Sequence, residues 1–431
     1  MNRCLCYFLF TLSAVVSSAQ SFQNPRSIPV DANPVNVFVA DLNNDGLPDL
    51  IVGVGNRTPF QIEIFLAAKS GNYSLANQIS LASGVSPLCK STDLNGDKKI
   101  DLVCPGLTTP NGNGIVLAYL GNGDGTFQAP ISTSLGPHNQ NFTITAAADM
   151  NGDGHVDLVV PLGLGSFNVS YMLLGDGAGH FTVSQFLGDP ATGNATIADV
   201  NNDAIPDLLT ARGSVFIGKG DGTFSTNFQY DFTSCIYADF EKTSKLSAAC
   251  ASDINVLTFF HINSDGSFNL TNPLGSVSFA GISQFTGVLH ALDLNGDGVL
   301  DLLLNSDTGL QVAIGKPGLT FSTPVPYAAG TTTTTNYETG VYSDLDGDGH
   351  PDFVSIGPHS VYISYGSASG GFSAPVLNTA GTGLYTSTTA DFNGDGLPDV
   401  LTIGVPGINV LQGKGDGTFA APVPIDRKSV V

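Results

Sequence analysis

Short apolar runs alternate with glycine- and aspartate-rich turns along almost the whole chain. In the first such unit, Val35–Ala40 leads into an acidic turn and Leu50–Val54 leads out of it. Gln61–Ala67 forms a further run, followed by a polar turn and a fourth apolar segment. Runs of this length, bounded by turn residues, read as short strands joined by hairpins. No stretch combines a 3.6-residue period with the length of a helix, so the pattern predicts an all-β chain.

The unit repeats. The nine-residue string Asp-x-Asn-x-Asp-Gly-x-x-Asp begins at Asp41, Asp149, Asp293 and Asp391, and at Asp344 with Asp in third place. Imperfect copies begin at Asp93 (DLNGDKKID) and Asp199 (DVNNDAIPD), and a degenerate eighth at Asp239 (DFEKTSKLS). A second motif recurs later in the unit: GNGDGTF at Gly121, GKGDGTF at Gly218 and again at Gly413. Four strands in a unit of roughly 50 residues match one blade of a β-propeller, which typically holds about 4–8 blades. A lone blade cannot bury both faces, so its neighbours must stack into a ring. The segment Ser21–Pro25 resembles the start of the fourth strand at Thr418–Pro422 and predicts a spare outer strand. It either closes the ring or lies outside it. Counting leaves eight blades, the reading taken here, or seven plus an extra unit.

With both motifs in hand, the chain resembles the FG-GAP/VCBS repeat proteins and the integrin α-subunit propeller, from Ser21 to about Pro424. The resemblance implies calcium in the hairpin between the first two strands of a blade. The residue chemistry points the same way. Calcium takes six to eight oxygen ligands, and carboxylates at alternate positions of a tight turn converge on one point. The expected ligands occupy positions one, three, five and nine of each loop. They are Asp41, Asn43, Asp45, Asp49; Asp93, Asn95, Asp97, Asp101; Asp149, Asn151, Asp153, Asp157; and Asp199, Asn201, Asp203, Asp207. The later loops supply Asp293, Asn295, Asp297, Asp301; Asp344, Asp346, Asp348, Asp352; and Asp391, Asn393, Asp395, Asp399. Glycine at position six permits the left-handed backbone of a sharp bend.

Departures from the motif predict weaker sites. Lys98 and Ala204 replace that glycine in the loops at Asp93 and Asp199. The loop at Asp239 offers Glu241, Thr243 and Ser247 at the other ligand positions, and no calcium is expected there. Up to seven ions are therefore expected. Cys89 and Cys104 flank the second loop as Cys235 and Cys250 flank the degenerate one. In an antiparallel hairpin these positions face each other, which predicts the disulfides Cys89–Cys104 and Cys235–Cys250.

Charge sharpens the picture. The chain carries 37 acidic and 15 basic residues, a net charge of -22, which argues against nucleic acid and anionic membranes as partners. The seven complete loops hold 22 of the acids, so the remaining acids equal the basic residues in number. Arg3, the apolar run Leu5–Val16 and Ser17-Ser18-Ala19 read as a signal peptide over 1–19. Residues 20–431 then form a single secreted domain, at the cell surface, in the periplasm or outside the cell. No nucleophile elbow, phosphate loop or zinc spacing stands out, and His155 and His350, at position seven of their loops, read as solvated. The expectation is a non-enzymatic protein-interaction or adhesion module. The alternative is a glycan-binding propeller, against which the absence of Trp counts.

Overall fold

The computed structural model describes residues 26–420 apart from short connecting segments, the longest being 328–340. The expected signal peptide, Ser21–Pro25, the threonine run Thr331–Thr335, His138 and His359 lie outside the described residues.

The four-run pattern becomes four antiparallel strands. In the first blade these are Pro34–Ala40, Asp49–Val54, Gln61–Ala67 and Tyr73–Ser80, hydrogen-bonded in sequence order. The first strand is half-buried, the second is buried at every position, and the fourth, after buried Tyr73, alternates exposed and half-buried. That gradient is expected of a sheet covered on both faces at its centre and on one at its outer edge. Its continuously apolar second strand is accordingly Leu-Ile-Val-Gly-Val rather than alternating. Seven blades have four strands; in the fourth blade three are described, Ala195–Ala198, Asp207–Thr210 and Val215–Phe216. No helix occurs among the described residues.

Eight blades form the ring, and the core is distributed among the joints between them. The buried apolar residues fall into eight clusters, each drawn from two adjacent blades. One joins the last blade to the first, packing Leu401, Ile403 and Ile408 against Leu50, Val52 and Phe65. A closed ring of eight blades needs eight such joints, so the alternative of seven blades plus an extra unit falls away. Closure is completed by the N-terminal strand Arg26–Pro29, which pairs antiparallel with Gly407–Leu411 as the outer strand of the last blade. The fourth strand of blade eight thus comes from the other end of the chain.

Both disulfides form as expected, with Cα–Cα distances of 4.1 Å. Cys235 and Cys250 are direct partners across the first two strands of their blade.

Candidate metal centres in the blade hairpins

Each nine-residue loop connects the first strand of a blade to the second, and three features of its sequence fix its path. Position two is apolar and buried in all eight loops, as Leu42, Leu94, Met150, Val200, Phe240, Leu294, Leu345 and Phe392. It plugs the joint between blades, a burial that stabilises by roughly 1.5–3 kcal/mol for a Leu or Phe. Positions four and six both take a left-handed backbone, for example Asn44 (φ 59°) and Gly46 (φ 84°). Asn and Gly fill position four in every complete loop because they tolerate that region best. Lys98 and Ala204 adopt φ 65° at position six, so each carries the strain its sequence predicts.

The carboxylates are organised by backbone N–H groups. Asp391 Oδ1 accepts from Gly394 at 2.7 Å and Asp395 at 3.1 Å, and its Oδ2 accepts from Gly396 at 2.8 Å. Asn393 Oδ1 accepts from Asp395 N at 2.9 Å, and Asp395 Oδ1 from Leu397 N at 2.8 Å. The bond from the position-six N–H to the position-one carboxylate recurs in every other complete loop. Side chains at positions one, three and five therefore converge over the turn at its exposed rim.

Position nine is different. Asp49, Asp101, Asp157, Asp207, Asp301, Asp352 and Asp399 are wholly buried. Each bridges two backbone donors. Asp399 Oδ2 accepts from Phe392 N at 3.0 Å, and its Oδ1 accepts from Gly413 N at 2.7 Å. The second donor is the first glycine of the GxGDGTF turn in the three blades that carry that motif, so there one carboxylate ties the two sequence motifs together. The glycine is required there by close approach. A Cβ on Gly413 would lie 2.2 Å from the Pro398 carbonyl oxygen, and on Gly121 2.2 Å from that of Ile100. Burial pushes the position-nine carboxyls up, to about 6 for Asp352 and about 7 for Asp399, against the lowering effect of the two N–H donors.

The loop at Asp239 follows the same path with a different inventory. Asp239 accepts from Thr243 N at 2.8 Å and Ser244 N at 2.7 Å, and Lys242 and Ser244 take φ 55° and 60°. Ser247 stands at position nine, and Ile262 stands where the partner glycine would be. A position-one Asp alone is thus enough to wind the turn.

Oxygens from Asp344, Asp346 and Asp348 lie within 4.8 Å of one another, a separation that a single cation can bridge. Burial and the neighbouring charges of Asp348 and Asp344 hold the Asp346 carboxyl above the ordinary range. In the second loop Lys99 Nζ, at position seven, sits 3.3 Å from Asp97 Oδ2 and competes for an expected ligand.

His155 and His350 are not solvated as expected. Both are half-buried with Nδ1 enclosed and unpaired among the described residues, and the His155 ring lies against Gly177. Reasoning from sequence also missed the plug at position two, the second left-handed residue and the aspartate–glycine bridge. A residue type fixed at each of those places in copy after copy was the available signal. The GxGDGTF phenylalanines belong to the core: Phe224 and Phe419 are buried, and Phe127 packs on the joint between blades one and two.

The family model for the FG-GAP-like repeat matches residues 93–160 and 344–402, which contain the loops at Asp93, Asp149, Asp344 and Asp391. The chain carries FG-GAP-like repeats on an eight-bladed propeller, consistent with the integrin-α type. Curated protein sequences give no match. Among solved structures, Saccharomyces cerevisiae Sqt1 is similar at 12% identity and TM-score 0.58, over 93% of this chain and 100% of that one. Chaetomium thermophilum Sqt1 is similar at 12% identity and TM-score 0.53, over 90% of this chain and 98% of that one. An Agrocybe aegerita lectin with specific recognition of non-reducing terminal N-acetylglucosamine reaches 19% identity and TM-score 0.47, over 89% and 92%. At these identities the likeness concerns the fold.

Proposed function

We propose that the chain is an exported calcium-binding propeller whose ions stiffen the blade hairpins and whose rim engages an extracellular protein. The observation that carries the calcium reading is the crowding of Asp344, Asp346 and Asp348 within 4.8 Å. Carboxylates so close repel unless a cation or a proton intervenes. The Asp239 loop supports the same reading from the other side. It winds an equivalent turn without carboxylates at positions five and nine, so those at position five elsewhere are surplus to the turn itself.

The donor set is hard oxygen throughout, which suits calcium rather than a thiolate- or imidazole-seeking metal. The side chains at positions one, three, five and nine would hold the ion, which supplies charge neutralisation and no redox chemistry. The chain's own residues do the rest: backbone N–H groups pre-orient the carboxylates, and the position-two plug anchors the loop to the joint. Two disulfides fit an oxidising compartment. No helix among the described residues is long and apolar enough to cross a membrane.

Calorimetric titration of chelator-stripped protein with calcium tests the proposal. Saturable binding approaching seven ions per chain is expected, with the Asp93 and Asp199 loops filling last. Failure to bind calcium at millimolar concentration would overturn it.

A further inference from the structure

Two of the breaks in the repeat, in adjacent blades, meet. A cavity of about 360 Å³ opens between blades five and six. Its walls come from the degenerate loop (Phe240, Glu241, Lys242), from Leu274, from Val299 of the sixth loop, and from the sixth-blade turn (Lys316, Leu319). That turn, GKPGLTF, sits where three other blades have GxGDGTF. Stacking of Phe259 on Phe321, with ring centroids 5.3 Å apart, fastens it to blade five.

Both breaks install cationic character on an acidic chain. Lys242 occupies the left-handed fourth position at φ 55°, where every complete loop has Asn or Gly. A lysine there carries backbone strain that Asn or Gly would avoid. Residues kept in strained backbone cluster at ligand sites. Its Nζ reaches across to Gly298 of the neighbouring loop. Lys316 corresponds to Lys219 and Lys414, which have an aspartate two residues on, Asp221 and Asp416, close enough to interact with them. Gly318 stands in that place here.

Both oxygens of Asp239 accept backbone N–H groups, and Glu241, on the cavity wall, has its Oε2 3.2 Å from His261 Nδ1. Lys242 and Lys316 have no ion-pair partner among the described residues. Beside them, Phe240, Leu274, Val299 and Leu319 offer apolar contact. The volume falls in the ordinary range of small-ligand pockets, about 300–1,000 Å³.

We infer that this cavity binds a carboxylate on an apolar body, as presented by the C-terminal leucine or valine of a peptide. The two ammonium groups hold the carboxylate and the apolar walls take the side chain. None of the carboxylates assigned to calcium takes part, so failure of this inference leaves the calcium reading standing, and the reverse.

The test is an NMR titration of the folded chain in millimolar calcium with N-acetyl-leucine, N-acetyl-leucinamide and glucuronic acid. Lys242→Gly and Lys316→Asn borrow residues that sibling repeats carry, Gly96 and Asn122, so both variants keep the fold. N-acetyl-leucine is expected to bind saturably, the amide at least tenfold more weakly, and the double variant at least tenfold more weakly. Lys242→Gly should leave the unfolding midpoint unchanged or raise it. Absence of saturable N-acetyl-leucine binding overturns the inference, as do equal affinities for acid and amide or an unaffected double variant. Equal binding of glucuronic acid refutes the apolar body.

Discussion

Removing the position-nine carboxylate separates its two duties, and Asp399 is the place to do it. Asp399→Ala leaves the N–H groups of Phe392 and Gly413 without their acceptor in a wholly buried site. An orphaned buried donor costs about 1–3 kcal/mol, so two cost about 4 kcal/mol together. That loss needs no metal and should appear in full with chelator present. Asp395→Ala is the control: its acceptor bond to Leu397 N is at the exposed rim, and the expected loss in chelator is under about 1 kcal/mol. In calcium each loss grows and the ranking stands, because both variants also forfeit ion binding. That forfeits about 2.7 kcal/mol when calcium stands at 100 times its dissociation constant. Urea unfolding followed by circular dichroism, with the midpoint shifting at constant slope, reads both quantities. A loss below about 1 kcal/mol for Asp399→Ala in chelator would refute the bridging role. An Asp395→Ala deficit that ignores calcium would refute the rim as a metal site.

Other consequences follow from the same geometry. Gly413→Ala drives a Cβ into the Pro398 carbonyl oxygen at 2.2 Å and should cost about 1–3 kcal/mol in urea unfolding, with or without calcium. Without calcium, stability should fall as pH rises. The folded carboxyls of Asp352 and Asp399 are raised to about 6 and about 7, so their neutral forms favour folding below the unfolded value and that contribution is lost through pH 6–7. The rim carboxyls held low, such as Asp153 and Asp416, change stability only below about pH 4. Unfolding midpoints in chelator at pH 4.5 and 7.5 therefore isolate the buried set, and a higher midpoint at 7.5 would contradict the assignment. Lys98→Gly removes left-handed strain at φ 65° and should raise both the unfolding midpoint and the calcium affinity of the second loop. Replacing Cys235 and Cys250 by serine should cost about 3 kcal/mol, measured against the oxidised parent.

The sequence by itself determined the strands, the repeat, the disulfide pairs and the expected ligand positions, because each is local. Gly, Asn and Asp dictate a turn within nine residues, and an apolar run of five can bury only as a strand covered on both faces. The facing cysteines follow from counting across one hairpin. Only the tertiary structure decided what depends on residues far apart in the chain. The ring closes at eight because Arg26–Pro29 pairs with Gly407–Leu411, a contact between its two ends. Asp399 turned out to be a buried strut as well as a candidate ligand, because the donor facing it comes from a different motif. The cavity at Lys242 and Lys316 exists because adjacent blades bring two separate lapses in the repeat side by side. Along the chain each lapse looks like decay; in space they form one wall, since stacking sets neighbours by blade and not by sequence distance.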